Sequence, residues 1–157
     1  MTVYTQFDSL IGTMTVHAND DGLLGVWCEN HSFELSDLGE QTDTHPILQL
    51  TVTQLREYFS GKRREFSIPL AAIGTEFQQK VWHALTTIPF GETWSYKDLA
   101  IAVGNPKASQ AVGGANGKNP ISIIVPCHRV IGKNGSLTGY AGGLEIKETL
   151  LKLEGAY

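Results

Sequence analysis

A cysteine, a histidine and an arginine stand side by side in the stretch IIVPCHRVIG, residues 123–132, as Cys127, His128 and Arg129. A thiol becomes a nucleophile when it is deprotonated, and nearby cations lower its pKa from about 8.5 toward neutrality. Free cysteines are also among the most buried residue types, so inert packing is the competing interpretation. Adjacent side chains of a strand point to opposite faces, so His128 would have to act through a bend or a water molecule. The pattern indicates a candidate nucleophile at the edge of a core.

Other kinds of chemistry have weaker support in the sequence. Cys28 and His31 have the separation of a ligand pair, but no second pair with structural-zinc spacing follows, so we predict no metal site. The chain has no G-x-S-x-G motif, no phosphate-binding glycine loop and no Rossmann fingerprint, and we predict no cofactor. A cysteine hydrolase stays open, with Cys127, His128 and Asn119 as nucleophile, base and orienting residue. The local signatures of that class are absent.

The composition is that of an ordinary globular protein of 157 residues with a formal net charge of −4. This charge excludes a polycation, so any contact with nucleic acid must depend on local positive charge. The N-terminus lacks the pattern of a signal peptide, and no apolar run approaches the roughly 20 residues that span a bilayer. Two cysteines make no disulfide framework. We expect a cytoplasmic protein with free thiols, no membrane segment and, by default, a monomeric state.

The chain divides near residue 70 into two parts, and we predict domains at residues 1–70 and 71–157. In the first part, residues 13–18 and 23–28 resemble strands joined by the turn sequence NDDG, and residues 46–61 have helical periodicity. Residues 29–43 are predicted as a loop, and REFSIPL as a short extended return. Cys28 ends a strand and is interpreted as structural.

The second part has helices separated by glycine and proline turns. Thr75 and Gln78 predict a capping box at the start of the first helix. The segment ISIIV, residues 121–125, is predicted as a buried strand that leads to Cys127, and LEIKETLLKLEG as a final helix. The expected core positions of the first and last helices are Phe77, Val81, Leu85, Ile88, Leu144, Leu150, Leu151 and Leu153.

Two short helices are predicted between residues 95 and 119, around a turn at Gly104, with Asn105 capping the second. This arrangement suggests a helix-turn-helix. One face of the second helix has almost no side chains, and glycines inside a helix are destabilising by about 1 kcal/mol each. Close packing against a neighbour and close approach to DNA both explain such a face. The residues of this face are Ala108, Ala111, Gly113, Gly114 and Ala115, and the local cations available to phosphate are Lys107, Lys118, Arg129 and Lys133.

The segment NPISIIVPCHRVIG, with GYAGG downstream and GETWSYKDLA and GNPKASQAVGGAN upstream, resembles the methylated-DNA–protein-cysteine methyltransferases. These are the O6-alkylguanine-DNA alkyltransferases of DNA repair. The resemblance covers residues 77–154 and is looser in the N-terminal part. It implies an α/β (α+β) fold, with an N-terminal ribonuclease-H-like small antiparallel sheet and helix and a C-terminal, mostly helical domain with a helix-turn-helix.

The resemblance also implies a reaction. The protein would bind double-stranded DNA in the minor groove, flip O6-alkylguanine out of the stack, and take the alkyl group irreversibly onto Cys127. His128 would act on Cys127 through a water molecule, and Glu154 would orient His128. Tyr96 would help to rotate the nucleotide and would hydrogen-bond the base. Activity on O4-methylthymine is plausible from the family alone.

Further roles and two departures concern the DNA-binding residues. The resemblance implies that Asn119 ties the helix-turn-helix to the active-site segment, Val130 lies on the base-binding segment, and Tyr140 lies in the loop against the flipped base. Gln110 stands where the family usually has an arginine that fills the gap left by the flipped base, and Ala141 replaces the family's serine. The full predicted set of DNA or base contacts is Gln110, Asn119, Val130, Tyr140, Ala141, Arg129, Ala108, Ala111 and Gly113.

One alternative belongs to a different class of protein. Alkyltransferase-like proteins share the fold and bind flipped lesions without transferring the alkyl group, because they lack the acceptor cysteine. The presence of Cys127 argues against this alternative.

Overall fold

The structure is a computed structural model that describes residues 1–28, 35–140 and 143–157. The backbone forms two compact units, Met1–Ala72 and Ile73–Tyr157. Within the described residues, none of the helices combines the length and the apolar character needed to cross a membrane.

The described residues of the first unit form a four-stranded sheet, one α-helix and a short 3₁₀ helix (Leu35–Leu38). Its strands are β1 (Val3–Ser9), β2 (Gly12–Ala18), β3 (Leu23–Cys28) and β4 (Glu40–Gln41), in the order β3-β2-β1-β4. The first three pair antiparallel, and β4 pairs parallel to β1. The sequence-based prediction missed β1. This strand lies between two others and buries Val3, Tyr4 and Thr5 in succession, so it lacks the alternation that marks a half-exposed strand.

Helix α1 (Pro46–Phe59) contacts β1 and β2 and confirms the predicted helix, two residues shorter at its C-terminus. The ring of His45 caps it by accepting a hydrogen bond from the backbone N–H of Ile47. Its fully buried side chains include Leu48, Leu55 and Tyr58. The predicted extended return after the helix is not a strand, apart from a single bridge between Leu70 and Leu23.

In the second unit, the described residues form four α-helices and a two-stranded parallel ladder. The elements are α2 (Glu76–Leu85), β5 (Trp94–Ser95), α3 (Tyr96–Ala102), α4 (Ser109–Gly117), β6 (Val130–Ile131) and α5 (Leu144–Leu153). Helix α4 packs against α2 and α3. Because Trp94 pairs with Val130, the start of α3 lies beside the segment that follows Cys127.

In this unit, the predicted start of the first helix is more accurate than the predicted set of buried residues. The capping box of Thr75 and Gln78 is present, with both reciprocal hydrogen bonds formed. Val81, Leu85 and Ile88 are buried as expected, but Phe77 is 37% exposed and Leu144 is 49% exposed. Both wrong assignments concern the first turn of a helix, which extends past the core that the later turns cover.

The pair of short helices is confirmed, but the role predicted for Asn105 is wrong. Helix α4 begins at Ser109 after Ala108 and has no side-chain cap. Gly104 has φ +85°, and the N–H of Asn105 bonds to the carbonyl of Ala100. Gly104 and Asn105 therefore end α3 in a left-handed cap, and α4 starts one turn later.

Candidate active site

The segment before Cys127 is a compact turn, and the strand predicted for residues 121–125 is absent. The N–H of Val125 bonds to the carbonyl of Ile121, and Ile124 bonds to Ser122. Ile123 has φ 72°, a strained conformation for a β-branched residue. Apolar residues in succession predict burial, and the apolar side chains of this segment are buried, but its backbone forms a turn closed by these local bonds.

Asn119 holds this turn together. Its buried amide donates to the carbonyl oxygens of Ile121 and Val125, at 3.1 and 2.9 Å, and its Oδ1 accepts from the N–H of Ile121 at 3.0 Å. The three bonds link the end of α4 to the segment that leads into Cys127. They support the tethering role that the resemblance implies for Asn119.

We expect Asn119→Ala to lower the free energy of unfolding by about 2–4 kcal/mol, because it leaves three buried backbone groups without partners. Urea denaturation measures this change. The matched control is Asn134→Ala, which removes an asparagine that bonds Ser136 in an exposed turn. The control should cost no more than about 1 kcal/mol. Equal losses in the two variants would contradict the role given to Asn119.

Cys127 begins a short 3₁₀ turn, Cys127–Arg129, and is only 6% exposed. Burial raises the pKa of its thiol, while a hydrogen bond from Asn119 and the ammonium charge of Lys147 act in the opposite direction. The resting side chain is therefore a protonated thiol that needs a base. It faces a cavity of about 10 Å³ lined by Asn116, Gly117, Asn119, Ser122, Cys127, Gly139 and Tyr140.

His128 has the arrangement of a base oriented by a carboxylate. Its Nε2 lies 2.7 Å from Oε2 of Glu154, and both side chains are fully buried. Burial lowers the pKa of His128, so the ring is neutral near pH 7. Because Nε2–H donates to the carboxylate, Nδ1 carries the lone pair. That Nδ1 is buried and has no hydrogen-bond partner in the described residues, so it can accept a proton.

Arg129 has a structural position that the sequence did not indicate. It is buried, and it donates to Oε1 and Oε2 of Glu154 at 2.7 and 3.1 Å and to the carbonyl of Ile88 at 2.7 Å. The prediction that Arg129 supplies charge to a DNA phosphate is wrong, since its guanidinium is used inside the protein. Burial alone would raise the pKa of Glu154, but the hydrogen bonds from His128 and Arg129 outweigh burial and lower it to about 2.

Lys147 is a site residue that the sequence analysis missed. Its side chain is fully buried on α5, and its ammonium donates to the carbonyl oxygens of Val130 and Thr138, at 2.5 and 2.6 Å. Burial lowers its pKa to about 8. Lys147 stands three and four residues before the buried Leu150 and Leu151, on the apolar stripe of the helix. A lysine on that stripe was the signal that could have identified it.

Tyr96 lies at the start of α3 and links three parts of the site. Its hydroxyl is 3.1 Å from Oγ1 of Thr138. A Cβ on Gly113 would lie 3.5 Å from the Tyr96 ring, which is an ordinary van der Waals distance, so the ring lies beside this turn of α4. Val130 is buried on β6. The structure therefore brings Tyr96, Val130 and Tyr140 close to the Cys127 segment, whereas Ala141 lies outside the described residues.

On the face of α4 that is poor in side chains, some residues pack against the protein and others are exposed to solvent. Ala115 is buried, and its carbonyl accepts a hydrogen bond from the indole of Trp82 at 2.9 Å. Gln110, Ala111 and Gly114 are exposed, and Ala108 is half-buried. A Cβ on Gly114 would meet no atom within 4 Å. Packing thus explains Ala115, Gly113 lies beside the Tyr96 ring, and the exposed residues form a smooth outer surface.

No group of three or more His, Cys, Asp or Glu side chains arranged to hold a metal ion occurs in residues 1–28, 35–140 and 143–157. His31, which was considered with Cys28, lies outside those ranges.

Comparisons with known proteins agree with this geometry. Residues 76–156 match the DNA-binding domain of 6-O-methylguanine DNA methyltransferase, and residues 2–72 match the ribonuclease-like domain of the same family. The methylated-DNA–protein-cysteine methyltransferase of Methanosarcina acetivorans is 48% identical over 98% of each chain. The O6-methylguanine methyltransferase structure of Mycobacterium tuberculosis is similar with a TM-score of 0.90 and 46% identity, covering 99% of this chain and 94% of that one.

A second structure of the Mycobacterium tuberculosis protein, in complex with DNA, is similar with a TM-score of 0.89 and 45% identity, covering 98% and 93% of the two chains. The chain described here belongs to the 6-O-methylguanine DNA methyltransferase family. This is a class of DNA repair enzymes that transfer an alkyl group from DNA to a cysteine of their own chain.

Proposed function

We propose that this protein repairs O6-alkylguanine in duplex DNA by moving the alkyl group once, and irreversibly, onto Sγ of Cys127. One observation carries the assignment to Cys127. The thiol lines a cavity and is followed directly by a histidine whose Nε2 is held by Glu154 and whose Nδ1 is free to take a proton. Cys28, the other cysteine, ends β3 in the first unit and is followed in the sequence by Glu29 and not by a histidine.

The reaction follows from these groups. Nδ1 of His128 takes the thiol proton through a water molecule, and Glu154 stabilises the imidazolium that forms. The thiolate attacks the alkyl carbon, so that an S–C bond forms while the C–O6 bond breaks. The electron pair of the broken bond stays with the guanine, which takes up the proton released by the His128 imidazolium and leaves as the normal base. The products are S-alkylcysteine and guanine, and the stable thioether ends the reaction after one transfer.

The position of Cys127 requires the base to leave the DNA stack. The thiol is 6% exposed, so it cannot reach the O6 atom of a base inside a duplex. Flipping costs a few kcal/mol and costs less for a poorly paired lesion, which favours damaged bases. The cavity of about 10 Å³ has room for about one water molecule, so its lining must separate to admit a purine. Tyr140 belongs to that lining, in accord with its proposed place against the flipped base.

The outer surface of α4 suits the minor groove. Ala111 and Gly114 present little side-chain bulk, and Gln110 lies beside them at the start of the helix. A narrow groove admits such a surface after modest widening. Lys107 and Lys118 flank the helix and are exposed, so they can contact phosphates although the whole chain carries a net charge of −4. We also propose that the protein acts as a monomer in the cytoplasm.

Intact-protein mass spectrometry tests the reaction. After incubation with a duplex that contains one O6-methylguanine, the protein should gain the mass of one methyl group, mapped by peptide analysis to Cys127. An unmodified duplex of the same sequence is the control. Absence of the gain under binding conditions, or many transfers per protein molecule, would contradict the proposal.

Gln110→Arg should tighten binding to lesion-containing DNA and raise the repair rate, each by about three- to tenfold. The arginine adds a cation near the phosphates and a longer side chain to hold the gap left by the flipped base. Gln110→Leu is the matched control, because it fills space without charge. Binding measured at two salt concentrations and single-turnover rates report both effects. Unchanged affinity and rate in Gln110→Arg would show that glutamine does not limit flipping.

A further inference from the structure

Asn116 is a buried side chain in α4 with an unused hydrogen-bond acceptor. It is only 3% exposed, and its Oδ1 is buried without a hydrogen-bond partner among the described residues. An unpaired buried acceptor is destabilising, so such groups are rare in native proteins and require an explanation. The chain could avoid this cost with an apolar residue at the same position. A donor supplied by a ligand is the explanation that its surroundings favour.

The surroundings of Asn116 are those of the reactive thiol. Asn116 and Cys127 line the same cavity, together with Asn119 and Tyr140. Asn119, three residues further on, uses both its Nδ2 and its Oδ1 on the backbone of the following turn. The two asparagines therefore differ: Asn119 bonds the backbone of the turn, whereas Asn116, which lines the cavity that the flipped base must enter, has an oxygen that no described residue pairs with.

The chemistry of the lesion selects the group that can meet this oxygen. Alkylation at O6 removes the proton from N1, so the base edge of O6-alkylguanine has acceptors at N1, N3 and N7. Its exocyclic 2-amino group is then the one N–H donor of the base. O4-methylthymine has lost its N3–H in the same way and has no N–H donor. An unpaired acceptor in the pocket thus matches the guanine lesion and opposes the thymine lesion.

We propose that Oδ1 of Asn116 accepts a hydrogen bond from the 2-amino group of the flipped O6-alkylguanine and so makes the enzyme selective for guanine lesions. This inference rests on the proposed function of the Cys127 site and adds a specificity-determining residue to it. The bond forms only when the base has entered, so it favours the extruded state of bases that carry the amino group.

Single-turnover methyl transfer from two duplexes tests the inference. One duplex contains O6-methylguanine and the other O6-methylhypoxanthine, which is the same lesion without the 2-amino group. The wild-type protein should react about tenfold faster with O6-methylguanine. Asn116→Leu, which is close in size, should lose most of that preference by slowing on O6-methylguanine while changing little on O6-methylhypoxanthine.

The control is Ser122→Ala, at another residue of the same cavity lining. It should leave the ratio of the two rates as in the wild type, whatever it does to each rate. A wild-type ratio near one overturns the inference without any variant, so the test does not depend on the folding of Asn116→Leu. A ratio that Asn116→Leu leaves unchanged overturns it as well. Absence of any methyl transfer by the wild type contradicts the proposed function instead, so the two failures are distinguishable.

Discussion

The Cys127→Ser variant should bind DNA that contains O6-methylguanine and transfer no methyl group from it. A serine hydroxyl is far less acidic than a thiol, and His128 cannot generate an alkoxide at neutral pH, so the transfer rate should fall at least about 1,000-fold. The substitution is nearly isosteric, and it leaves the 3₁₀ turn and the bonds made by Asn119 in place. Mass spectrometry and an electrophoretic binding assay on the same samples separate loss of chemistry from loss of binding.

The matched control for this variant is Cys28→Ala. Cys28 is the other free cysteine, buried at the end of β3 in the first unit. This control should retain full methyl transfer and at most lose some stability. A methyl group found on Cys28, or transfer that survives in Cys127→Ser, would show that Cys127 is not the acceptor.

The second large effect is expected for Glu154→Gln. Glu154 accepts hydrogen bonds from His128 and Arg129 in a buried cluster. Removing its charge leaves the buried guanidinium without a counter-ion, which should lower the free energy of unfolding by about 3–5 kcal/mol. It also weakens the orientation of the imidazole, so the transfer rate should fall about 10- to 100-fold. Urea denaturation and single-turnover transfer measure the two changes.

The acid stability of the protein should change in the same variant. The folded-state pKa of Glu154 is lowered from 4.5 to about 2, a difference worth about 3 kcal/mol. For a lowered carboxyl pKa, this stabilisation is complete above about pH 4.5 and is lost as the pH falls toward 2. Burial lowers the pKa of His128 as well, because the folded protein disfavours the charged ring. The free energy of unfolding therefore also falls when acid protonates this histidine. The Glu154→Gln variant should therefore have a lower free energy of unfolding than the wild type at pH 7. Between pH 4.5 and 2, its free energy of unfolding should change less with pH than that of the wild type.

Glu148→Gln on the same helix is the control. Glu148 pairs with Lys152 at 3.1 Å, and both side chains are well exposed. Such a surface pair contributes about 0.3–0.5 kcal/mol, so the control should keep both the stability and the acid profile of the wild type. If the two glutamine variants behave alike, the cluster around Glu154 does not have the role given to it.

The sequence alone determined the features that depend on neighbouring residues. The capping box of Thr75 and Gln78, the two strands around the NDDG turn and the pair of short helices each rest on residue types a few positions apart. Local chemistry drives these elements, so a local pattern predicts them. The resemblance in the Pro-Cys-His-Arg segment also predicted the family and the two-part α+β fold, because reactive residues in a specific order seldom recur by chance.

Tertiary structure decided the features that depend on distant partners. ISIIV is a turn and not a strand, because Asn119 bonds the carbonyl oxygens of Ile121 and Val125 and the N–H of Val125 bonds back to Ile121. Arg129 points inward because its guanidinium donates a hydrogen bond to Glu154, which is 25 residues away in the sequence. Lys147 is buried because its ammonium donates hydrogen bonds to two carbonyl oxygens, and the Oδ1 of Asn116 at the thiol cavity has no partner in the part of the chain that the structure describes. A polar side chain can contact water, other groups of the protein or the substrate. Which of these it contacts depends on the groups that the fold places next to it, and the residue types along the chain do not contain that information.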